Sequence, residues 1–445
     1  MNYHTPFGQS LIFLISLAEL TLTGQTSGRD TRNVRTPGTD ALSLSQLVAI
    51  VVANNPTIQA AQAKWRSARE RIPQAAAWDD PKVTGGTVFG RFVSIPANSF
   101  TDQALSVEQM IPVSGKNRSK ERMATADALA TFEEARRRSL DVVVKAKSEY
   151  YRLKSVYARL DLNRADEESL VQSVDSTRAR FEAGKQAEAT VLLAENERQK
   201  IVEQRKDLEL ELKQAESSLN VLMNRDPFIP VRVVSDDSMD ALPGSPARLR
   251  AVTLTNRPEI RAAEAKLTAA NARLELAKRD WIPDPTVSFE AERYNGAAQT
   301  LSQVGGGVSI SLPWLNGKKY RAEEEEARSE ASAAQDELTS EQTQALGLLR
   351  NQLDKIETLH HHLDLYRDNL LPTARETVAS LLADYQSDKG DLLTLLSAQR
   401  NLFDLETMYA RDRADFETAL AELQALAGLE PAMWATTSNS ERQSK

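Results

Sequence analysis

The sequence is written twice, and this duplication restricts the possible folds more than any other feature. Asn54-Asn55-Pro56-Thr57-Ile58-Gln59-Ala60-Ala61 matches Asn256-Arg257-Pro258-Glu259-Ile260-Arg261-Ala262-Ala263 at an offset of 202. Asp80-Pro81 returns as Asp284-Pro285. Ile111-Pro112 and then Gly115-Lys116 return as Leu312-Pro313 and then Gly317-Lys318. Leu192-x-Ala194 returns as Leu396-x-Ala398, and Leu222 to Pro227 as Leu426 to Pro431, both at an offset of 204. The anchors keep their order and nearly constant spacing. Each half should therefore carry the same elements: helix, strand, strand, very long helix, turn, helix. The first repeat spans 43–227 and the second 245–431, with a linker at 228–244 and a disordered tail at 432–445.

The first helix of each half has a start signal. Ser43 and Gln46 form a capping box, and the helix they open is expected to run to about Ala76. Ser245 stands as N-cap before Pro246 at the first helical position. Both first helices end near prolines, Pro81 and Pro283, which cannot continue a helix. Strands are expected at 83–93, 104–111, 286–294 and 302–312, with hairpin loops near 90–101 and 295–300. In the third, Val287, Phe289 and Ala291 alternate with Thr286, Ser288, Glu290 and Glu292. In the fourth, Val304, Val308, Ile310 and Leu312 alternate with Gly305, Gly307, Ser309 and Ser311. Period-two alternation marks a strand with one wet face, and roughly 9–11 residues suffice for a tilted membrane strand.

Long helices follow at 116–180, 187–224, 317–384 and 391–428, with Ser114 and Asn316 as N-caps of the first and third. Lys116 to Ala183 holds no proline or glycine, so this helix reaches about 100 Å at 1.5 Å per residue. Val143, Tyr150, Tyr157 and Val171 recur in sevens, as do Ala146, Leu153, Leu160 and Val174; Arg164 and Glu167 interrupt the seam. Ala194, Ile201, Leu208, Ala215 and Leu222 repeat in the return helix, and Leu402, Tyr409, Phe416 and Leu423 in the last. Heptads imply coiled-coil packing. Four strands cannot close a barrel, since the smallest membrane barrels have eight, and an open sheet would expose its edges. The pattern implies an oligomer that shares one barrel and continues it as a helical tube.

Composition removes other classes. There is no cysteine, hence no disulfide or thiolate chemistry, and an oxidising compartment is allowed. The net charge of −8 is spread along the chain without a basic block, which argues against nucleic acid. Charged residues at 27 % and aromatics at 6 % suit narrow seams on long helices. No run approaches the roughly 20 apolar residues of a membrane-spanning helix. Leu11 to Ala18 reads as the apolar core of a signal peptide over 1–28, although its n-region lacks Lys and Arg and Glu19 interrupts its end; a flexible stretch at 29–42 follows.

These residues together resemble the TolC-like outer-membrane factor family, over about residues 41–431. The carriers are the two Asn-x-Pro helix starts, the Ile111-Pro112 and Leu312-Pro313 strand ends with their Gly-Lys successors, and two tip motifs. The tips are Arg180-Phe181-Glu182-Ala183-Gly184 with Leu192-x-Ala194, and Tyr385-x-x-Asp388 with Leu396-x-Ala398-Gln399. Trp78-Asp79-Asp80-Pro81 and Ile111 to Lys116 resemble the heavy-metal cation efflux branch. The resemblance implies a mostly α protein with a small β part, a homotrimer with a 12-stranded outer-membrane barrel, and a helical periplasmic tunnel. It implies a passive conduit for small toxic compounds or metal cations, in an efflux or type I secretion-like system. A periplasmic adaptor and an inner-membrane pump of the RND type would be its partners, and outer-membrane lipid its surroundings. No catalytic residue, cofactor or metal is expected.

The resemblance places adaptor docking at the tips, on Phe181, Gly184, Lys185, Tyr385, Asp388 and Gly390. Gly184 and Gly390 would supply positive φ, although turn chemistry alone would need the same glycines. Asp388 stands where the family has glycine. Thr394 and Ser397 stand where many members have aperture carboxylates. Asp388 or Asp391 would then supply an acidic ring, or both are ordinary turn acids. Trp281 and Trp314 suit the lipid boundary, and Trp78 suits it or a packed corner. His360-His361-His362 lacks the i, i+4 spacing for chelation and reads as a solvated face, and Glu324 should pair with Arg328. Two other classes compete. A soluble coiled-coil scaffold would explain the heptads but not strand pairs at matching places in both halves. An enzyme would need a phosphate loop, nucleophile elbow or His-Glu-x-x-His, none of which the sequence holds.

Overall fold

A computed structural model describes residues 41–87, 102–234, 244–295 and 300–429. The expected signal segment, the tail at 432–445, the first hairpin loop at 90–101 and 296–299 of the second lie outside them. The first half holds α1 (Leu44–Asn54), α2 (Pro56–Arg69), α3 (Arg71–Ala76), β1 (Lys82–Thr87), β2 (Gln103–Met110), α4 (Lys116–Glu182) and α5 (Glu188–Leu222). The second holds α6 (Pro246–Asn256), α7 (Pro258–Arg279), β3 (Thr286–Asn295), β4 (Thr300–Ser309), a 3-10 turn (Pro313–Asn316) and α8 (Gly317–Leu365). A π turn (Tyr366–Leu370), α9 (Leu371–Gln386) and α10 (Leu392–Leu426) complete it.

The single helix expected from Ser43 to Ala76 is broken. Pro56 disfavours helical backbone at Asn55, which takes φ −68° and ψ 121°. Asn55 makes the break a cap: its Oδ1 accepts from Thr57 N at 2.9 Å and its Nδ2 donates to Leu222 O at 2.9 Å. Pro258 breaks the second half likewise at Arg257. The capping box of Ser43 and Gln46 closes in both directions, and Ser245 accepts from Arg248 N. The stretch before α1 is pinned at its end. Leu42 is buried and bridges in parallel to Val233, inside the segment expected to be linker.

The four strands form one antiparallel sheet in the order β1-β2-β3-β4. β2 and β3, from different halves, pair from Gln103↔Arg293 to Met110↔Thr286. Directly opposed residues share a face, so the registers align Val83, Leu105, Val107, Val287, Phe289, Val304 and Val308 on one side. This apolar side is open, with Val308 at 70 % exposure. The other side carries Thr84, Ser106, Glu108, Ser288, Glu290 and Gln303.

One clamp joins sheet to helices. Ser114, expected as N-cap of α4, yields that position to Gly115 at φ +75°. Ser114 instead donates through N and Oγ to the two oxygens of Asp284, each at 2.8 Å. Lys116 Nζ lies 3.4 Å from Asp284 and 3.6 Å from Asp280, and Arg279 donates to Ser114 O at 2.9 Å. Burial pushes the Asp284 carboxyl up, but the Ser114 bonds and Lys116 outweigh it and hold it below the usual range. Asn316 does stand at the N-cap of α8, without a side-chain cap bond.

The helices pack along apolar seams. The α5 series from Ala194 to Leu222 is buried throughout. In α4 the series Ala146, Leu153, Leu160 and Val174 is buried throughout, whereas the other turns over: Val143 and Tyr150 are buried, but Val171 is 39 % exposed while Asn163, Leu170 and Thr177 are buried. The uninterrupted helix expected over 317–384 is divided by the π turn, because Pro372 follows it and lacks the N–H of a regular ladder. Glu324 meets Arg328 at 3.0 Å.

Candidate functional site

Far along the chain from the sheet, α4–α5 and α9–α10 reverse in two tight tips that pack against each other. At the first, Gly184 takes φ +70°. Gly184 N donates to Phe181 O and Lys185 N to Arg180 O, both at 2.9 Å, which is the Schellman arrangement. At the second, the positive φ falls on Asp388 (+58°), not on Gly390 as expected. Asp388 N donates to Tyr385 O at 3.3 Å and Lys389 N to Asp384 O at 2.9 Å, so the same motif closes on an aspartate. Gly390 serves close approach instead: a Cβ there would lie 2.9 Å from Tyr385 N.

Arg180 ties the tips together. It donates to Tyr385 O at 2.5 Å, lies with its guanidinium 4.2 Å from the Tyr385 ring centre, and pairs with Asp388 at 2.6 Å. Lys185 reaches the second Asp388 oxygen at 3.4 Å. Below them Thr177 and Tyr385 share a hydroxyl–hydroxyl bond of 3.0 Å. Tyr385 is only 2 % exposed, in a cluster with Leu170, Val174, Leu392, Leu395 and Leu396. It therefore cannot belong to the docking surface as expected; it is the core of the tip. Phe181, Gly184 and Lys185 do lie on the surface. Asp388 is held by two cations, and Asp391 caps α10 through Thr394 N at 3.3 Å. Thr394 and Ser397 are exposed, and Ser397 Oγ donates to Leu393 O at 2.8 Å. Arg180 stands in the first tip motif, but its link to the second tip was not legible, nor was the role of Thr177: their partners are 205 and 208 positions away in the chain.

Beside the Arg375–Glu406 ion pair of 2.7 Å, Asp166 faces Asp404 and Glu406. Burial, then these two carboxylates, push it up to about 6. At the sheet end, Trp314 is 55 % exposed and Trp78 is open as well. Trp281 instead packs on Tyr320, with ring centres 5.6 Å apart. His360 and His362 pair with Asp364 and Asp412. Among the described residues no cluster of His and carboxylates could hold a metal ion.

The family model for outer membrane efflux proteins matches residues 47–225 and again 249–429. The chain belongs to the outer membrane efflux protein family. Relatives include nodulation protein T of Rhizobium leguminosarum bv. viciae, 24 % identical over 81 % of this chain and 76 % of that protein. The pyoverdine export outer membrane protein OpmQ of Pseudomonas aeruginosa is 31 % identical over 62 % of this chain and 56 % of its own. The cobalt-zinc-cadmium resistance protein CzcC of Cupriavidus metallidurans is 28 % identical over 54 % and 52 %. The solved outer-membrane channel OprN superposes with a TM-score of 0.75 at 21 % identity, covering 87 % of this chain and 90 % of that one. This efflux protein is thus a mostly helical channel component of the outer membrane with a large periplasmic part, and the scaffold alternative falls. The family is one of channels rather than enzymes.

Proposed function

We propose that the protein is one protomer of a homotrimer that forms a passive export conduit. The observation that carries this reading is the four-stranded sheet, apolar and open on one side, polar on the other, with free edges at β1 and β4. Left alone, it would expose more apolar surface than a soluble chain tolerates and two edges prone to pairing. Three copies supply twelve strands, enough for a closed barrel whose apolar side meets lipid. The long helices α4 and α8 then continue as a periplasmic tunnel. Trp314 and Trp78, both exposed, meet the lipid boundary in this reading, while Trp281 braces the junction against Tyr320.

The tips take the adaptor. Phe181, Lys185 and the open backbone at Gly184 offer a surface, and an inner-membrane pump of the RND type supplies the energy. Asp388 and Asp391, already engaged by Arg180, Lys185 and the α10 cap, make a weak acidic ring at most. Thr394 and Ser397 line the aperture as neutral groups, so cations and small organic compounds can both pass. Relatives named for pyoverdine export and for cobalt-zinc-cadmium resistance fit a conduit whose selectivity lies upstream. Purification from the outer membrane in mild detergent, followed by mass measurement, tests the reading. A particle of three protomers supports it, and a monomer would end it.

A further inference from the structure

Partway along the rods, α4, α10 and the run from the π turn into α9 enclose a groove of about 1000 Å³, and Arg232 and Val233 also line it. From Tyr151 to Ala165 it follows α4 for about 21 Å at 1.5 Å per residue. Neither the sheet nor the tips contribute to it. α4 and α10 run antiparallel, and Gln399 Nε2 donates to Ser169 Oγ at 3.0 Å. Equal steps along the two helices bring Lys154 and Arg413 to one end of the groove, and Leu162 and Glu406 to the other.

The two ends differ in kind. Towards the tips the lining is Leu162, Ala165, Leu371 and Ala410, and the charges there are matched: Arg375 pairs with Glu406 at 2.7 Å and Asp161 with Arg164 at 3.0 Å. Beside this end, Asp166 faces Asp404 and Glu406, a group that repels anions. Towards the sheet, Lys154, Arg232 and Arg413 stand against one lining carboxylate, Glu417. Arg367 is already held by Asp364 and Asp368, at 2.8 Å each. Ser155 belongs to this end as well. On the same helix, Ser173 and Thr177 return their hydroxyls to the carbonyls of Ser169 and Ser173. Ser155, only 6 % exposed, lines the groove instead, and its buried Oγ finds no hydrogen-bond partner among the described residues. A buried hydroxyl left so costs stability until a partner is supplied.

We propose that this groove binds a single-chain amphiphilic anion, its head beside Lys154, Arg232 and Arg413 and its alkyl chain along Leu162 and Leu371. Each observation meets a part of such a ligand. The charge of the head offsets the excess of cations at the sheet end, and a head oxygen accepts the hydrogen of Ser155 Oγ. The chain covers the leucines and alanines of the tipward end, where the paired charges leave none over for a second polar group. Orientation is set from both sides, by attraction at one end and by Asp166 and Asp404 at the other. A cation of the same shape would meet the reverse field, and a compact inorganic anion would leave the apolar half uncovered. The volume falls within the range of ligand pockets, roughly 300–1,000 Å³. The site lies within one chain and goes beyond the export reading, since it needs neither the trimer nor the adaptor.

The test uses the full chain in lipid nanodiscs, free of detergent micelles. It is titrated with a dodecanoate that carries a photoreactive diazirine, irradiated, digested and mapped by mass spectrometry. The expected result is saturable labelling of the peptides that hold Leu162, Leu371 or Ala410, displaced by laurate but not by dodecanol. Arg232→Glu, at an exposed side chain, should raise the half-saturating concentration several-fold. Ala410→Trp should abolish the labelling by filling the tipward half, with thermal unfolding to show that both variants fold. Equal displacement by dodecanol overturns the anionic ligand. Labelling that does not saturate, that falls on the sheet alone, or that neither variant changes overturns the site. Dodecyl phosphate beside laurate then separates two sources of the same chemistry: displacement by laurate alone assigns a fatty carboxylate, by the phosphate alone a phospholipid-type head, and by both a site that reads charge and chain only.

Discussion

The two tips solve one geometric problem with different residues. Gly184 occupies the left-handed position of the first at no steric cost, and nothing lies within 4 Å of where its Cβ would be. Asp388 occupies the same position of the second, where an L-residue costs roughly 1–2 kcal/mol, somewhat less for Asp than for most side chains. What the aspartate adds is a carboxylate aimed across the gap at Arg180 and Lys185. The first tip supplies the two cations of the latch and the second its carboxylate, so the pair is held by side chains from both. Backbone conformation alone is satisfied by glycine; coupling between hairpins requires a side chain.

Breaking the latch from beneath should have the largest effect. Tyr385→Ala removes a buried ring, its bond to Thr177 and the stacking face for Arg180, and should cost about 3–5 kcal/mol. Hydrogen exchange should then rise at both tips while the sheet end stays protected. Gly184→Pro comes next, at about 3 kcal/mol, because proline cannot take positive φ and removes the N–H that bonds Phe181 O. Efflux should fall with trimer assembly intact, and unchanged resistance of cells carrying this variant would sink the docking assignment. Gly184→Ala, with room for its methyl group, should cost only about 1 kcal/mol in melting experiments. Asp388→Asn should have the smallest effect. It keeps the turn and loses the charge pairing of an exposed group, worth up to about 1 kcal/mol, and should remove the salt dependence of protease cleavage at the tips. Away from the tips, Asp166 sets a pH signature. Its folded value near 6 exceeds the ordinary 3.8, so the folded state binds the extra proton and stability should fall as pH rises from about 4 to 6. Asp166→Asn should flatten that slope in thermal unfolding.

The strands were legible because a face exposed to one solvent and a face exposed to another leave period-two alternation in Val287–Ala291 and Val304–Leu312. The α5 seam was legible because one set of neighbours runs its whole length. In α4 the Ala146, Leu153, Leu160 and Val174 series was legible too, but the parallel series fails at its end, since Val143 and Val171 are four heptads apart and a straight helix drifts about 20° per heptad, which carries Val171 out of the core. The break at Asn55 could have been foreseen from Pro56, and the π turn from Pro372. The bond from Arg180 to the second tip left no signal, because a contact across 205 positions has no local pattern. The positive φ at Asp388 was missed for a related reason: Gly390 nearby was the easier candidate, and only the closing bonds to Tyr385 and Asp384 decide between them.

The π turn bears on how two unequal rods can share both of their ends. From Gly115 to Gly184 there are 69 steps along the chain, and from Gly317 to Asp388 there are 71. Both rods are fixed at the sheet, and at the tips by Arg180 and Asp388. Two surplus residues in a regular α-helix would overshoot by about 3 Å, more than an ion pair can span when its partners already touch. The wide turn at Tyr366–Leu370 takes up part of that excess without breaking the rod. It acts as an expansion joint, and insertions elsewhere in α8 or α9 would push Asp388 past Arg180.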